Sequence, residues 1–152
     1  MKQCIFISGL HFFSSSESSK FKRNIQNLLA KLKIPKFKLH ILFIQSNEMK
    51  LLTRRWKKKQ KSTNVLAFPI NNLYINVEIY GIIIISISKK KSSNINQKAF
   101  SLFIHGFLHL LGLNHHKNFK YAKQQLVTET FLIKQANNVT CLSLFNNMAL
   151  SL

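Results

Sequence analysis

Apolar and polar positions follow several distinct rhythms along this chain. Cys4 to Ile7 is an apolar run of strand length. Ser14, Ser15, Ser16, Ser18 and Ser19 form a polar stretch read as a loop, and a helical rhythm follows from about Ser19 to Leu32, closed by Pro35. From Lys36 to Ile44 apolar residues fall at every second position (Phe37, Leu39, Ile41, Phe43), the period of a strand with one buried face. Ser46 is placed to cap a helix reaching about Trp56, and Lys57 to Lys61 is a basic loop. Val65 to Phe68 reads as a short strand stopped by Pro69. Ile82 to Ile87 is β-branched almost throughout, as central strands are. Asn94 to Leu113 and Phe119 to about Ala136 read as helices, and the tail from Asn137 carries no pattern. No repeat and no linker interrupts the chain, so its 152 residues are expected to form one α+β domain.

Charge changes the picture more than length does. Against 23 Lys and Arg stand 4 acids, Glu17, Glu48, Glu78 and Glu129, with no Asp, for a formal net charge of +19. Two-metal nucleases, EF-hands and aspartic-protease dyads all need close carboxylates and are excluded. A polyanionic partner is expected, nucleic acid first and an anionic membrane surface second. Lys, Ile and Asn are heavily used in every region, so part of the charge is compositional bias. Two cysteines, Cys4 and Cys141, make no disulfide framework and suit a reduced intracellular setting. The opening residues carry one lysine and no clean cleavage site, so they read as a first strand rather than a signal peptide. The longest apolar run, Ile79 to Ile87, is far short of the ~20 residues of a membrane span.

The informative segment runs from His105 to His115. His105 and His109 stand four apart and share a helix face. The helix around them is apolar almost all round (Phe100, Phe103, Ile104, Phe107, Leu108, Leu111), which predicts burial. Ser101, His105 and His109 form its polar stripe, and Gly112 can end the helix in a left-handed turn that brings His115 back toward the pair. Three imidazoles bind zinc and leave a fourth position for water. His116 is a spare neighbour, and His11 and His40 are read as structural. The spacing is that of the extended zinc-peptidase motif, but Gly106 stands where a peptidase carries its glutamate base. Water would then be activated mainly by the metal, and the uncompensated charge of zinc favours a phosphodiester over a neutral amide.

The segment His105-Gly106-Phe107-Leu108-His109-Leu110-Leu111-Gly112-Leu113-Asn114-His115 resembles the H-G-x-L-H-L-x-G-Y-D-H signature of the YbeY endoribonuclease family. Ser62-Thr63-Asn64-Val65-Leu66-Ala67-Phe68-Pro69 is similar to that family's P-T-[DN]-V-L-S-F-P. Tyr80 to Ser86 partly resembles its L-G-D-I-V-I-S, and the likeness extends from about Lys36 to Ile133. The resemblance implies a small mixed sheet packed against a zincin-like, metal-bearing helix. It implies a single-strand-specific, zinc-dependent endoribonuclease of the bacterial cytoplasm. Such an enzyme acts in rRNA maturation, at the 3′ end of 16S rRNA, and in ribosome quality control. Its partners would be single-stranded rRNA and the ribosome or its small subunit, with neither DNA nor membrane. It assigns one Zn2+ to His105, His109 and His115. Where the family has a tyrosine and a functional arginine, this chain has Trp56 and Lys57, and Arg55 is the alternative if the loop register shifts. Lysine keeps the charge and loses the forked grip on phosphate. Leu113-Asn114 and Ile82 replace the signature's Tyr-Asp and the aspartate of G-D-I, which weakens support around the metal. Drift in a reduced bacterial genome would produce both the bias and these losses.

Lys50, Arg54, Arg55, Lys57, Lys58, Lys59 and Lys61 fall within twelve residues around Trp56. Beside Thr63 and Asn64, which are read as shaping a cleft floor, this stretch suits single-stranded RNA, with cations tracking phosphates and one ring for stacking. Two further classes stand beside the nuclease. One is a catalytically weakened, zinc-containing RNA- or ribosome-binding protein, and the other, a distant third, is a metalloprotease.

Overall fold

A computed structural model describes residues 4–34, 36–57, 63–70, 78–87, 95–112 and 119–137. Among the described residues four strands and four helices follow in the order β1 (Cys4–Ser8), α1 (Ser15–Lys31), β2 (Lys36–Gln45), α2 (Ser46–Lys57), β3 (Val65–Pro69), β4 (Glu78–Ile87), α3 (Ile95–Leu110) and α4 (Phe119–Asn137). The strands form one mixed sheet in the order β1-β2-β4-β3; β1, β2 and β4 are parallel and β3 runs antiparallel to β4. The expected α+β architecture is therefore present. An unpredicted 3-10 turn, Leu10–Phe12, follows β1.

Helix α1 begins at Ser15, four residues before the sequence reading placed it. The reason is a capping box. The Ser14 hydroxyl accepts the Glu17 N–H at 3.3 Å, while Glu17 Oε2 accepts the Ser14 N–H at 2.8 Å, so two amides left over by the helix start are satisfied. Strand β4 likewise begins at Glu78 rather than Ile82, because pairing with β2 runs unbroken from Lys36↔Glu78 to Gln45↔Ile87. The β-branched run marks only the centre of a strand that its neighbour extends. Helix α2 takes in Lys57, and α3 stops at Leu110, within the span predicted for each to about a turn.

Alternation gives the sheet two different faces. Phe37, Leu39, Ile41 and Phe43 of β2, with Ile83 and Ile85 of β4, point to the main core, where they meet Phe21, Ile25 and Leu28 of α1 and Phe103 and Phe107 of α3. Leu42, Ile44, Leu66 and Ile84 point the other way and are covered by Met49 and Leu52 of α2. So α2 lies on one face, and α1, α3 and α4 on the other.

Two glycines let α3 sit close on the β3–β4 edge of the sheet. A Cβ on Gly106 would come within 2.8 Å of Ile83 Cγ2 and 3.0 Å of Val65 Cγ2, and one on Gly81 within 2.7 Å of both Leu110 methyls. This close approach fixes the height and rotation of the helix that carries both histidines. No helix among the described residues is long and apolar enough to cross a membrane.

Candidate metal centre

The i, i+4 spacing on α3 brings His105 and His109 edge to face, with ring centroids 4.7 Å apart and the two Nε2 atoms 3.0 Å apart. The helix around them is buried at Phe103, Ile104, Phe107 and Leu108, as its apolar pattern predicts. The histidines are half-buried, so two imidazoles share a partly dry surface with their nitrogens converging.

Helix α4 supplies what the sequence reading missed. Thr128 and Leu132 are buried in the core, and Thr128 Oγ1 donates to the Gln124 carbonyl at 2.8 Å. Glu129, next to Thr128, places Oε1 2.6 Å from Nδ1 of His105. A carboxylate accepts, so Nδ1 carries the proton and Nε2 keeps its lone pair toward His109; the tautomer follows from the partners. The only signal for Glu129 in the sequence is the scarcity of acids, since no spacing links a residue on one helix to a histidine 24 positions earlier on another.

This donor set fits zinc. Two nitrogens bound to one tetrahedral zinc at about 2.0–2.1 Å lie about 3.3 Å apart, within a few tenths of the separation seen between the two Nε2 atoms. Metal-binding histidines also habitually give their other N–H to a carboxylate, the position Glu129 holds. Among the described residues no three His, Cys, Asp or Glu side chains converge as a ligand group. His115 and His116, with Asn114, lie outside the described residues. Gly112 ends the helix in the left-handed conformation, with φ +81° and its N–H donating to the His109 carbonyl at 3.1 Å.

The remaining candidates are placed as follows. Arg54, Arg55 and Trp56 are exposed on the last turn of α2, which Lys57 closes, on the sheet face opposite α3. Lys58, Lys59 and Lys61 lie outside the described residues. Thr63 and Asn64 enter the β3 edge: Thr63 Oγ1 donates to the Val65 carbonyl at 3.1 Å, and the Asn64 carbonyl accepts the Ser86 N–H at 2.8 Å. The structure thus unites His105 with His109 and sets the described basic residues of α2 across the sheet from them. Two readings change with this placement. Ile82 lies on the α2 face of β4, paired with His40 and Phe68, so it does not support the histidines directly. Gly106 faces the sheet, so the peptidase's glutamate position is a packing position here.

Fold and site together define an α+β domain built around a helix that presents two converging imidazoles, one of them held by a carboxylate. Residues 11–135 match the family model described as endoribonuclease YbeY. The chain is 32% identical to the endoribonuclease YbeY of Persephonella marina across 71% of this chain and 76% of that protein. It is 36% identical to that of Buchnera aphidicola across 64% and 67%, and 30% identical to that of Campylobacter jejuni across 66% and 75%. The solution structure of TM1509 from Thermotoga maritima shares the fold, with TM-score 0.53, 20% identity, and coverage of 88% of this chain and 89% of that one. The chain belongs to the YbeY endoribonuclease family.

Proposed function

We propose that this chain is a zinc-dependent endoribonuclease that cuts single-stranded RNA during rRNA maturation in the cytoplasm. The observation that carries the reading is the convergence of the two Nε2 atoms at 3.0 Å with Glu129 holding the far side of His105. His105 and His109, joined by His115, would hold the metal. When bound, zinc supplies a Lewis acid for a phosphoryl oxygen and acidifies water.

The chain's own residues do the rest. Glu129 fixes the ring of His105 and its proton at Nδ1, so that the Nε2 lone pair is presented without rearrangement. Gly106 offers no carboxylate, and its contacts with Ile83 and Val65 leave no room for one, which weighs against a peptidase. Arg54, Arg55 and Lys57, across the sheet from the histidines in a chain of net charge +19, draw a polyanion toward the molecule rather than touch the phosphate being cut. Attack by water and attack by the RNA's 2′-hydroxyl are both compatible with these groups. A 2′,3′-cyclic phosphate on the products would select the second.

The ribosome, where single-stranded rRNA tails lie exposed, is the proposed setting, both for 16S 3′-end maturation and for quality control. The test is zinc content and cleavage together. Purified chain should hold about one zinc and cut a single strand in preference to a duplex. A chain that holds zinc and binds RNA without cutting it would favour the binding-protein reading instead. Cleavage of casein by the native chain would reinstate the peptidase.

A further inference from the structure

Among the described residues, α2 covers only one half of its face of the sheet. Met49 and Leu52 of α2 pack over Leu42, Ile44, Leu66 and Ile84. Toward the other end of the strands, register aligns Phe6 of β1, His40 of β2, Ile82 of β4 and Phe68 of β3 in one row across all four strands, roughly 14 Å wide from the usual strand spacing. Rings pair at both ends of it, with Ile82 between them. Phe6 stacks on His40 at 4.8 Å and 22°, His40 lies 6.4 Å from Tyr80, and Trp56 rests 5.7 Å from Phe68 at the far end. Phe6 is 48% exposed and Trp56 67%, unusual for rings that a core could have absorbed.

Charge identifies the occupant. The Lys38 ammonium sits 5.1 Å above the Tyr80 ring, and Lys36 is exposed on the same face two residues earlier. Three of the four acids act elsewhere: Glu17 caps α1, Glu48 accepts the Gln45 N–H, and Glu129 holds His105. The fourth, Glu78, is in register with Lys36 at the end of the face. Rings for bases and ammonium groups for phosphates are the elements of a sheet that binds single-stranded RNA.

We propose that this open half-face, from Phe6 through His40 and Tyr80 to Trp56, is a second binding surface for single-stranded RNA, on the opposite side of the sheet from the histidine pair. It lies apart from the proposed cutting site and extends the RNA reading, because it gives the enzyme a hold on RNA away from the cut. Bases stack on Phe6 and His40, and Lys38 and Lys36 meet the phosphates between them.

The test is fluorescence anisotropy of a labelled 12-nucleotide 2′-O-methyl oligouridylate, which has no free 2′-hydroxyl, with the native chain, Phe6→Ala, Phe6→Trp and Phe6→Ala/His40→Ala. Loss of one stacked base weakens binding by roughly 5- to 150-fold in known single-strand binders, so Phe6→Ala should fall in that range, the double variant further, and Phe6→Trp should bind like the native chain. Thermal melts confirm that each variant folds; Phe6 is half exposed, so its removal leaves the core intact. Affinity unchanged in both alanine variants would overturn the proposal, as would equal affinity for a 12-base-pair duplex. A protein partner that competes for this face while RNA affinity ignores Phe6 would also overturn it. Cleavage of unmodified RNA by the native chain, with and without chelator, is read separately. Phe6-dependent binding without cleavage sinks the nuclease reading alone, and cleavage with Phe6-independent binding sinks this one alone.

Discussion

Replacing Glu129 by Gln isolates the outer support of the proposed metal centre. The amide keeps the shape of the side chain and a hydrogen bond to Nδ1 of His105, but removes the negative charge. In the native chain that contact is 2.6 Å long, in the range of charge-assisted bonds. Such bonds are worth about 1.5–3 kcal/mol. His105 is 30% exposed and Glu129 17%, so water screens the pair and lowers that worth to about 1–2 kcal/mol. At about 1.4 kcal/mol per tenfold, zinc affinity should fall roughly 5- to 30-fold. That overlaps the 10- to 100-fold typical when an outer partner of a metal-binding histidine is changed, by about the same physics. Competition against a chromophoric chelator measures it, with circular dichroism and a thermal melt confirming the fold. Glu129→Ala should lose at least as much. Zinc affinity within twofold of native in both variants would refute the assignment of Glu129 and, with it, the orientation of His105 on which the site is built.

Other consequences follow from the packing and the charge. Gly106→Ala should lower stability by about 1–2 kcal/mol, because overpacking against Ile83 and Val65 outweighs the gain in helix propensity; a urea titration reads it, and a more stable variant would contradict the close approach. Gly106→Glu should fail to fold rather than gain peptidase activity, which soluble yield and casein digestion report together. Ser14→Ala should cost about 1 kcal/mol by removing the capping box of α1, visible as a lower midpoint with an unchanged denaturant slope. RNA affinity should fall steeply between about 50 and 200 mM salt if lysines and arginines bind phosphates, and a flat isotherm would remove the basic surface from the account.

Much of this architecture is legible in the sequence because the relevant signals are periodic. The alternation from Phe37 to Phe43 announces which face of β2 is buried, and the apolar α3 with its His105–His109 stripe announces both a buried helix and two imidazoles side by side. What escaped depends on contacts between distant segments. The start of β4 at Glu78 is set by ten residues of pairing with β2, a partner the local sequence does not reveal. Glu129 reaches His105 only because Thr128 and Leu132 anchor α4 beside α3. The face on which Ile82 lies is decided by strand parity once the start of β4 is known, so its distance from the histidines could not be read from the motif. The early start of α1 is the exception. Ser14 and Glu17 carry a capping-box spacing that was present in the sequence but hidden among five serines.

The central claim is that the histidine pair carries a metal that the chain needs to cut RNA. A structured RNA with a single-stranded 3′ tail, incubated with native chain, native chain plus chelator, and His109→Ala purified identically, tests it most directly. Cutting by the native chain alone, restored to the chelated sample by added zinc, is the expected result. Equal cutting in all three would contradict the claim, as would a native chain that holds zinc and leaves the tail whole.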